Sequence, residues 1–498
     1  MKFWLCTPAC LSLFIYAFTA ANTTPTATQA ADETDGSVPV ENWSNEEKLI
    51  SQEGEFVGII QSAGADVIVG EMSGPRKWGT VGTVTSYSIG TTSCNIGTIP
   101  LQWIDGTPFH PVISQNIYRL KAGRFEQLGQ GWMKWSFCAL QGGVCGSCTP
   151  YCGGCCDHLG VGCSDPYTAD RNGSQSLLGP KWVVNPTTGV FPQNHPTPGS
   201  GTLDGRIQIN NDDLNPALNP GALFFGEGHY VSNDDATANN DNNNASYKRL
   251  NVGAFTGGGY ALGFTGTITR QEPAINAWRA HGGGVGIVDP TVVLQDVDVS
   301  DGRFRVGYRV NQISGMPGWY HYEIAIFNIN SDSSLRQVSV PVGTSPLMNI
   351  GFKDVSYHSA GMPYDLTDWP DNAGAGGLLD WSTTTFAGNP NANALRFGTM
   401  YNFRFDAKGP PIDRIWSLGR FKTADSVVMA GKGPASPGDM NCDGNVDILD
   451  INAFTLALAD PAGYAATYPT CDILLGDLNN DGAADILDIN PFVAAIGG

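Results

Sequence analysis

Near the carboxyl end of this chain one set of oxygen-bearing residues occurs twice at the same spacing. The first copy is Asp439, Asn441, Asp443, Asp447 and Asp450; the second is Asp477, Asn479, Asp481, Asp485 and Asp488. Counted from the first aspartate of each copy they stand at positions 1, 3, 5, 9 and 12, the spacing at which a twelve-residue loop wraps a calcium ion. Calcium is a hard cation that takes about six to eight oxygens. Position 7, Asn445 in one copy and Ala483 in the other, needs to give only its main-chain carbonyl. Position 6 is Gly444 or Gly482, where the chain must turn through a backbone angle that a Cβ opposes. Two calcium ions are therefore the expected cofactors.

The segments after the loops must hold them in place. The string DILDIN follows both times, at 447–452 and 485–490, and runs on into apolar residues at helical spacing. These are Ile448, Ile451, Phe454 and Leu458 in the first copy, and Ile486, Ile489, Phe492 and Ile496 in the second. Position 12 thus falls in the first turn of a helix, which couples metal binding to helix docking, and the two apolar stripes are expected to bury each other. Pro491 is tolerable in a first turn, where its missing N–H has no helical partner to lose.

On these residues the segment resembles a type I dockerin domain, the duplicated calcium-loop module of secreted bacterial proteins. The resemblance implies two calcium ions, an extracellular setting and docking onto a cohesin-like protein or a cell-surface scaffold, often in polysaccharide-degrading assemblies. Positions 10 and 11 depart from the family, which commonly has small hydroxyl residues there. Here they are Ile448 and Leu449, then Ile486 and Leu487.

A second concentration of reactive side chains is the cysteine cluster Cys138, Cys145, Cys148, Cys152, Cys155, Cys156 and Cys163, with Cys94 upstream. Two C-x-x-C pairs, Cys145 with Cys148 and Cys152 with Cys155, have the spacing of a tetrahedral zinc site, to which His158 could add a nitrogen. Disulfides are the favoured reading, because the chain carries an export signal and a Gly- and Pro-rich loop with little core of its own gains stability from cross-links. Cys442 and Cys471 are expected to pair separately, between the calcium loops.

Acid-base chemistry has weaker support. Glu227 with His229, His321 with Glu323, and His358 with Asp365 and Asp368 are the available groupings, and i, i+2 neighbours share one face of a strand. A glycosidase needs two carboxylates facing each other across a cleft, and no spacing here reveals such a pair. Phosphate loops, serine elbows and zinc-protease helices have no credible counterpart. Trp319, Tyr320, Trp369 and Trp381 could stack on sugar rings, although core packing is the commoner use of such residues.

Composition bounds the rest. A net charge of −20 argues against nucleic acid or an anionic membrane as partner. The 498 residues allow two or three domains, and 63 glycines beside only 15% charged residues favour strands and turns over long charged helices. Lys2, the apolar run 3–18 and the small residues Ala20 and Ala21 read as an export signal, too short to span a bilayer.

Strands are expected at 66–69, 80–89, 116–120 and 124–128, with Ala122 and Gly123 turning the last pair into a hairpin. The Asn- and Asp-rich run 233–244 reads as a solvated loop. The clearest period of two puts Phe304, Val306, Tyr308 and Val310 on one face, and Tyr320, Tyr322, Ile324 and Ile326 on another, leaving His321 and Glu323 opposite. Further strands at 338–342, 350–352, 401–405 and 415–421 complete an antiparallel sandwich. This main region is also similar to uncharacterised secreted bacterial β-proteins, through WYHYE, PYDLTDW and NALRFGTMYNFRFD.

The expected chain is mainly β with a small helical end. It has a signal peptide (1–21), a flexible leader (22–50), a β-rich region with the cysteine-rich loop (51–200), an antiparallel β-sandwich (201–430), a linker (431–437) and the duplicated calcium-loop module (438–498). Its expected role is a secreted binding or assembly protein without membrane insertion. The alternative is a secreted carbohydrate-active enzyme carrying the same module, with polysaccharide as partner and Glu323 and Asp368 as the carboxylates to replace.

Overall fold

Alternating hydrophobic residues build four large antiparallel sheets, which pair into two sandwiches. They are seen in a computed structural model that describes residues 62–135, 138–355 and 363–497. The expected signal peptide and leader, and His358, lie outside the described residues.

In the first sandwich, Val67–Val81, Val84–Asn95, Ile207–Asn210 and Ser164–Tyr167 form a four-stranded sheet. It packs on a seven-stranded sheet whose centre is Leu223–Val231 beside Val112–Lys121. Val69, Tyr87, Ile89, Ile117 and Ile207 fill the space between. The hairpin at Ala122 and Gly123 forms as expected, with both residues at positive φ and Lys121 opposite Arg124. The strand expected over 80–89 is instead the end of one strand and the start of the next. Gly82, at φ +61°, turns the chain and sets Val81 against Val84.

The second sandwich joins a sheet of Val293–Val299, Gly302–Gln312, Trp319–Asn328, Met400–Lys408 and Leu347–Lys353 to one of Asp371–Ala373, Leu378–Ser382, Leu335–Pro341, Pro411–Arg420 and Ser426–Pro434. Phe304, Val306, Ile324, Ile326, Trp381, Phe403 and Trp416 lie in its core. The face of Trp319–Asn328 expected to be polar is buried as well. Ala325 and Phe327 pack with Tyr118, Phe125, Phe225, Trp278 and Met400 in a third core that cements one sandwich to the other.

Three expectations about organisation change. Residue 200 is no boundary, because Ile207–Asn210 pairs with Val84–Asn95 and Leu223–Val231 with Val112–Lys121. The Asn-rich run 233–244 is structural rather than solvated. Asp235 is fully buried and accepts the Val67 N–H and the Asn244 amide, while Asn240 donates to the carbonyls of Ala63 and Ala65. Residues 431–437 hold the C-terminal unit against the sandwich instead of apart from it. Residues 431–434 finish an edge strand, and Ala435 and Ile412 share a core with Met440, Phe454, Tyr464 and Phe492. That unit contains α1 (Asp450–Ala459), α2 (Pro461–Thr467) and α3 (Ile489–Ile496).

Candidate functional site

The two acidic loops adopt the same conformation. Gly444 and Gly482 have φ of +98° and +96°, and position 4 is also left-handed in both, Cys442 at +57° and Asn480 at +63°. A Cβ resists that region by roughly 1–2 kcal/mol, so its appearance twice marks a geometry both loops need. Asn480 is a residue type that hints at it; Cys442 gives no such signal and is pinned by its disulfide to Cys471.

Side chains of the loop scaffold their own backbone. Asp450 is fully buried, with Oδ1 accepting the Asn441 N–H (3.0 Å) and Oδ2 the Asp447 N–H (2.9 Å). Asp488 repeats this, Oδ1 accepting from Asn479 and Oδ2 from Asp485, both at 2.9 Å. Oδ2 of Asp439 and of Asp477 each accept the N–H of the position-6 glycine at 3.1 Å. Asp443 and Asp481 each accept the position-7 N–H, of Asn445 and of Ala483, and Asp447 and Asp485 accept from Leu449 and Leu487.

Among the described residues no three His, Cys, Asp or Glu side chains are drawn together into a ready-made metal cluster. The residues nevertheless suit a hard cation, since every side-chain donor they offer at positions 1, 3, 5, 9 and 12 is oxygen. Asp439 Oδ1 is buried with no hydrogen-bond partner, and burial, then the neighbouring Asp450 and Asp443, push this carboxyl up to about 6. The second sandwich also sends one cation to each loop. Arg414 Nη1 donates to the Gly444 carbonyl (3.0 Å), and Lys408 Nζ donates to Asn480 Oδ1 (2.7 Å), 3.7 Å from Asp477 Oδ2.

Of each expected apolar stripe only one residue is buried, Phe454 or Phe492, with Leu458 and Ile496 half-buried and Ile451 and Ile489 exposed. Phe454 and Phe492 stack with centroids 4.0 Å apart. Ile448 and Ile486, by contrast, are both 73% exposed, with Leu449 at 62% and Leu487 at 64%. They stand in the turn before each helix.

The ten described cysteines pair as disulfides: Cys94 with Cys145, Cys138 with Cys155, Cys148 with Cys163, Cys152 with Cys156, and Cys442 with Cys471. Both C-x-x-C pairs are split by this connectivity, so the thiolate set of a zinc site is not formed. His158 bonds Asp157 and stacks on Tyr151 instead.

Two of the three acid-base groupings are structural, the third depending on His358, which lies outside the described residues. Glu227 and His229 are both fully buried; Glu227 Oε1 accepts from Asn116 and Tyr118 (2.8 Å each) and Oε2 from the Ala274 N–H (2.6 Å). Burial pushes Glu227 up and, with Lys181 nearby, pushes His229 down to about 3. Glu323 is gripped by Arg124 through two 2.8 Å bonds across the sandwich joint. Asp365 and Asp368 lie on an exposed loop, Asp365 bonded to Thr367. Trp369 and Trp381 are core residues.

His321 closes the same joint, with Nε2 3.2 Å from Glu323 and Nδ1 2.5 Å from Asp406. Hydrogen bonds to Glu323 and then Asp406 raise its pKa above the usual 6.5, against the opposing effect of burial. A histidine raised in the folded state contributes stability that is fully present below 6.5 and fades as pH climbs through the raised value. His321→Gln should therefore flatten the pH dependence of urea unfolding above 6.5, and an unchanged slope would contradict this role.

Comparison with known proteins adds little. No family model and no curated protein matches the chain. Among solved structures it is similar to the serine-rich repeat protein Srr2 of Streptococcus agalactiae, at 10% identity over 75% of this chain and 95% of that one, with a TM-score of 0.19. A likeness that slight carries no argument about fold or function.

Proposed function

We propose that the protein is an exported β-protein whose C-terminal residues are ordered by two calcium ions and dock it onto a partner of the cohesin type. The observation that carries this is the repetition of one loop geometry, with left-handed backbone at positions 4 and 6 and the same carboxylate bonds in both copies. Asp439, Asn441, Asp443, the Asn445 carbonyl, Asp447 and Asp450 would hold one ion. Asp477, Asn479, Asp481, the Ala483 carbonyl, Asp485 and Asp488 would hold the other. Calcium supplies positive charge among crowded carboxylates, and the loops then fix the entry angles of α1 and α3.

Export is supported by five disulfides, which belong to oxidising compartments. Among the described residues no helix is long and apolar enough to cross a membrane.

The contact surface would be the exposed pairs Ile448–Leu449 and Ile486–Leu487. Large apolar side chains standing in water at matching places in both copies are what a protein interface covers. Surface plasmon resonance of the full chain over immobilised cohesin-like domains, in calcium, tests this. Ile448→Asp with Leu449→Asp should weaken binding by about tenfold or more, and the same change in both copies should abolish it. Failure of every such domain to bind, or binding indifferent to the four changes, would sink the reading.

A further inference from the structure

The two sandwiches enclose a cleft that the docking role does not use. Residues 130–132 and 181–186 of the first face residues 331–334, Tyr364, 393–401 and Lys422 of the second, around a cavity of about 70 Å³ that opens to solvent.

Its lining combines three chemistries. Trp182 meets Trp132 and Tyr364 edge to face, with centroids 5.3 and 6.0 Å apart, and Trp182 is only half buried. Lys422 pairs with the one carboxylate, Asp332, at 2.6 Å, which leaves Lys181 and Arg396 as surplus cations in a chain whose net charge is −20. Ser331 and Thr399 add hydroxyl oxygens able to accept, their own protons being given to Asp301 and to the Arg396 carbonyl.

Donors in this cleft are under-used. Trp132 is 4% exposed and its Nε1 has no hydrogen-bond partner. Arg396 lies 3.7 Å over the Tyr364 ring and gives Nη2 to two carbonyls, while its Nε is buried without a partner. Lys181 Nζ makes one 2.8 Å bond, to Asn116, and a long one of 3.5 Å to Gly398, leaving ammonium capacity to spare. Burial pushes this lysine down to about 7, and an arriving anion would favour its charged form. Buried donors are nearly always paired, so two unpaired ones beside spare cations mark a place for an acceptor-rich anion.

We propose that this cleft binds an acidic sugar, a pyranose ring carrying a carboxylate, with the ring on the indole of Trp182 and the carboxylate met by Lys181 and Arg396. Aromatic faces take the C–H face of a sugar ring, the Ser331 and Thr399 oxygens accept from its hydroxyls, and the surplus cations Lys181 and Arg396 choose the acidic over the neutral sugar.

The test is titration of the full chain with oligogalacturonate and oligoglucuronate of four residues, and with the neutral galactose tetramer, followed by tryptophan fluorescence and calorimetry. One or both acidic oligomers should bind at least about tenfold tighter than the neutral one. Trp182→Ala should weaken the acidic oligomer about tenfold, and Lys422→Glu should weaken it similarly while leaving the neutral one unchanged. Both sites are at the cleft edge, and melting curves identify a variant that has lost its fold. Equal affinity for acidic and neutral oligomers, no binding by any, or full affinity in a folded Trp182→Ala would overturn the proposal. The titration should be the same in EDTA, so its outcome is independent of the calcium-dependent docking.

Discussion

In EDTA, the full-length protein is expected to show a calorimetric transition for residues 438–498 shifted down by roughly 20–40 °C or lost, while the sandwich transition stays in place. The size follows from linkage. An ion present at a hundred times its dissociation constant stabilises by about 2.7 kcal/mol, so two ions contribute about 5 kcal/mol. For a unit of about 60 residues each kcal/mol moves the midpoint by about 4–8 °C. Without calcium, the clustered carboxylates are met from the second sandwich by Arg414 and Lys408. Those contacts, the Cys442–Cys471 disulfide and the shared core at Ile412 and Ala435 keep the unit tethered, so it should lose helix without becoming a free tail. Asp450→Ala with Asp488→Ala should reproduce the effect in calcium. Identical traces with and without chelator would remove the basis for a calcium-ordered unit.

What could be read from the sequence depended on how local the determinant is. The strand at Gly302–Gln312, with Phe304, Val306 and Tyr308 inward, follows from alternation alone, and the hairpin at Ala122–Gly123 from two residues able to take positive φ. The glycine turns of both loops were equally readable because their spacing lies within twelve residues, whereas the left-handed Cys442, tied to Cys471 outside its loop, gave no signal. The polar reading of Glu323 failed for a long-range reason. Its strand is buried on its second face by a hairpin some two hundred positions earlier, and Arg124 supplies the charge that lets a carboxylate sit there. The Asn-rich run misled in the same way, since Asp235 and Asn240 find their partners at Val67, Ala63 and Ala65. The cleft between the sandwiches has no sequence signature at all, being built from segments that only the docking of two cores brings together.

The largest effect of a single substitution on the sandwiches is expected at Glu227. Both of its oxygens are occupied, by the Asn116 amide, the Tyr118 hydroxyl and the Ala274 N–H, so none is left for a substrate. Asn116 in turn holds Lys181, which makes Glu227 the buried anchor of a chain of contacts leading to the cleft. Glu227→Ala strands three donors and unbalances that lysine, at a cost of about 3–5 kcal/mol in urea unfolding. Glu227→Gln keeps the shape and should cost about 1–2 kcal/mol. The two forms also differ in their response to pH. Burial raises the Glu227 pKa, so its contribution to stability is full below the ordinary 4.5 and declines as pH rises through the higher folded value. Glutamine does not titrate, so the Gln variant should close on the parent as pH rises above 4.5, whereas a catalytic carboxylate at the surface would show no such convergence. A loss below about 1 kcal/mol in Glu227→Ala, or a gap between Gln and parent that is constant with pH, would show that this carboxylate does not anchor the joint.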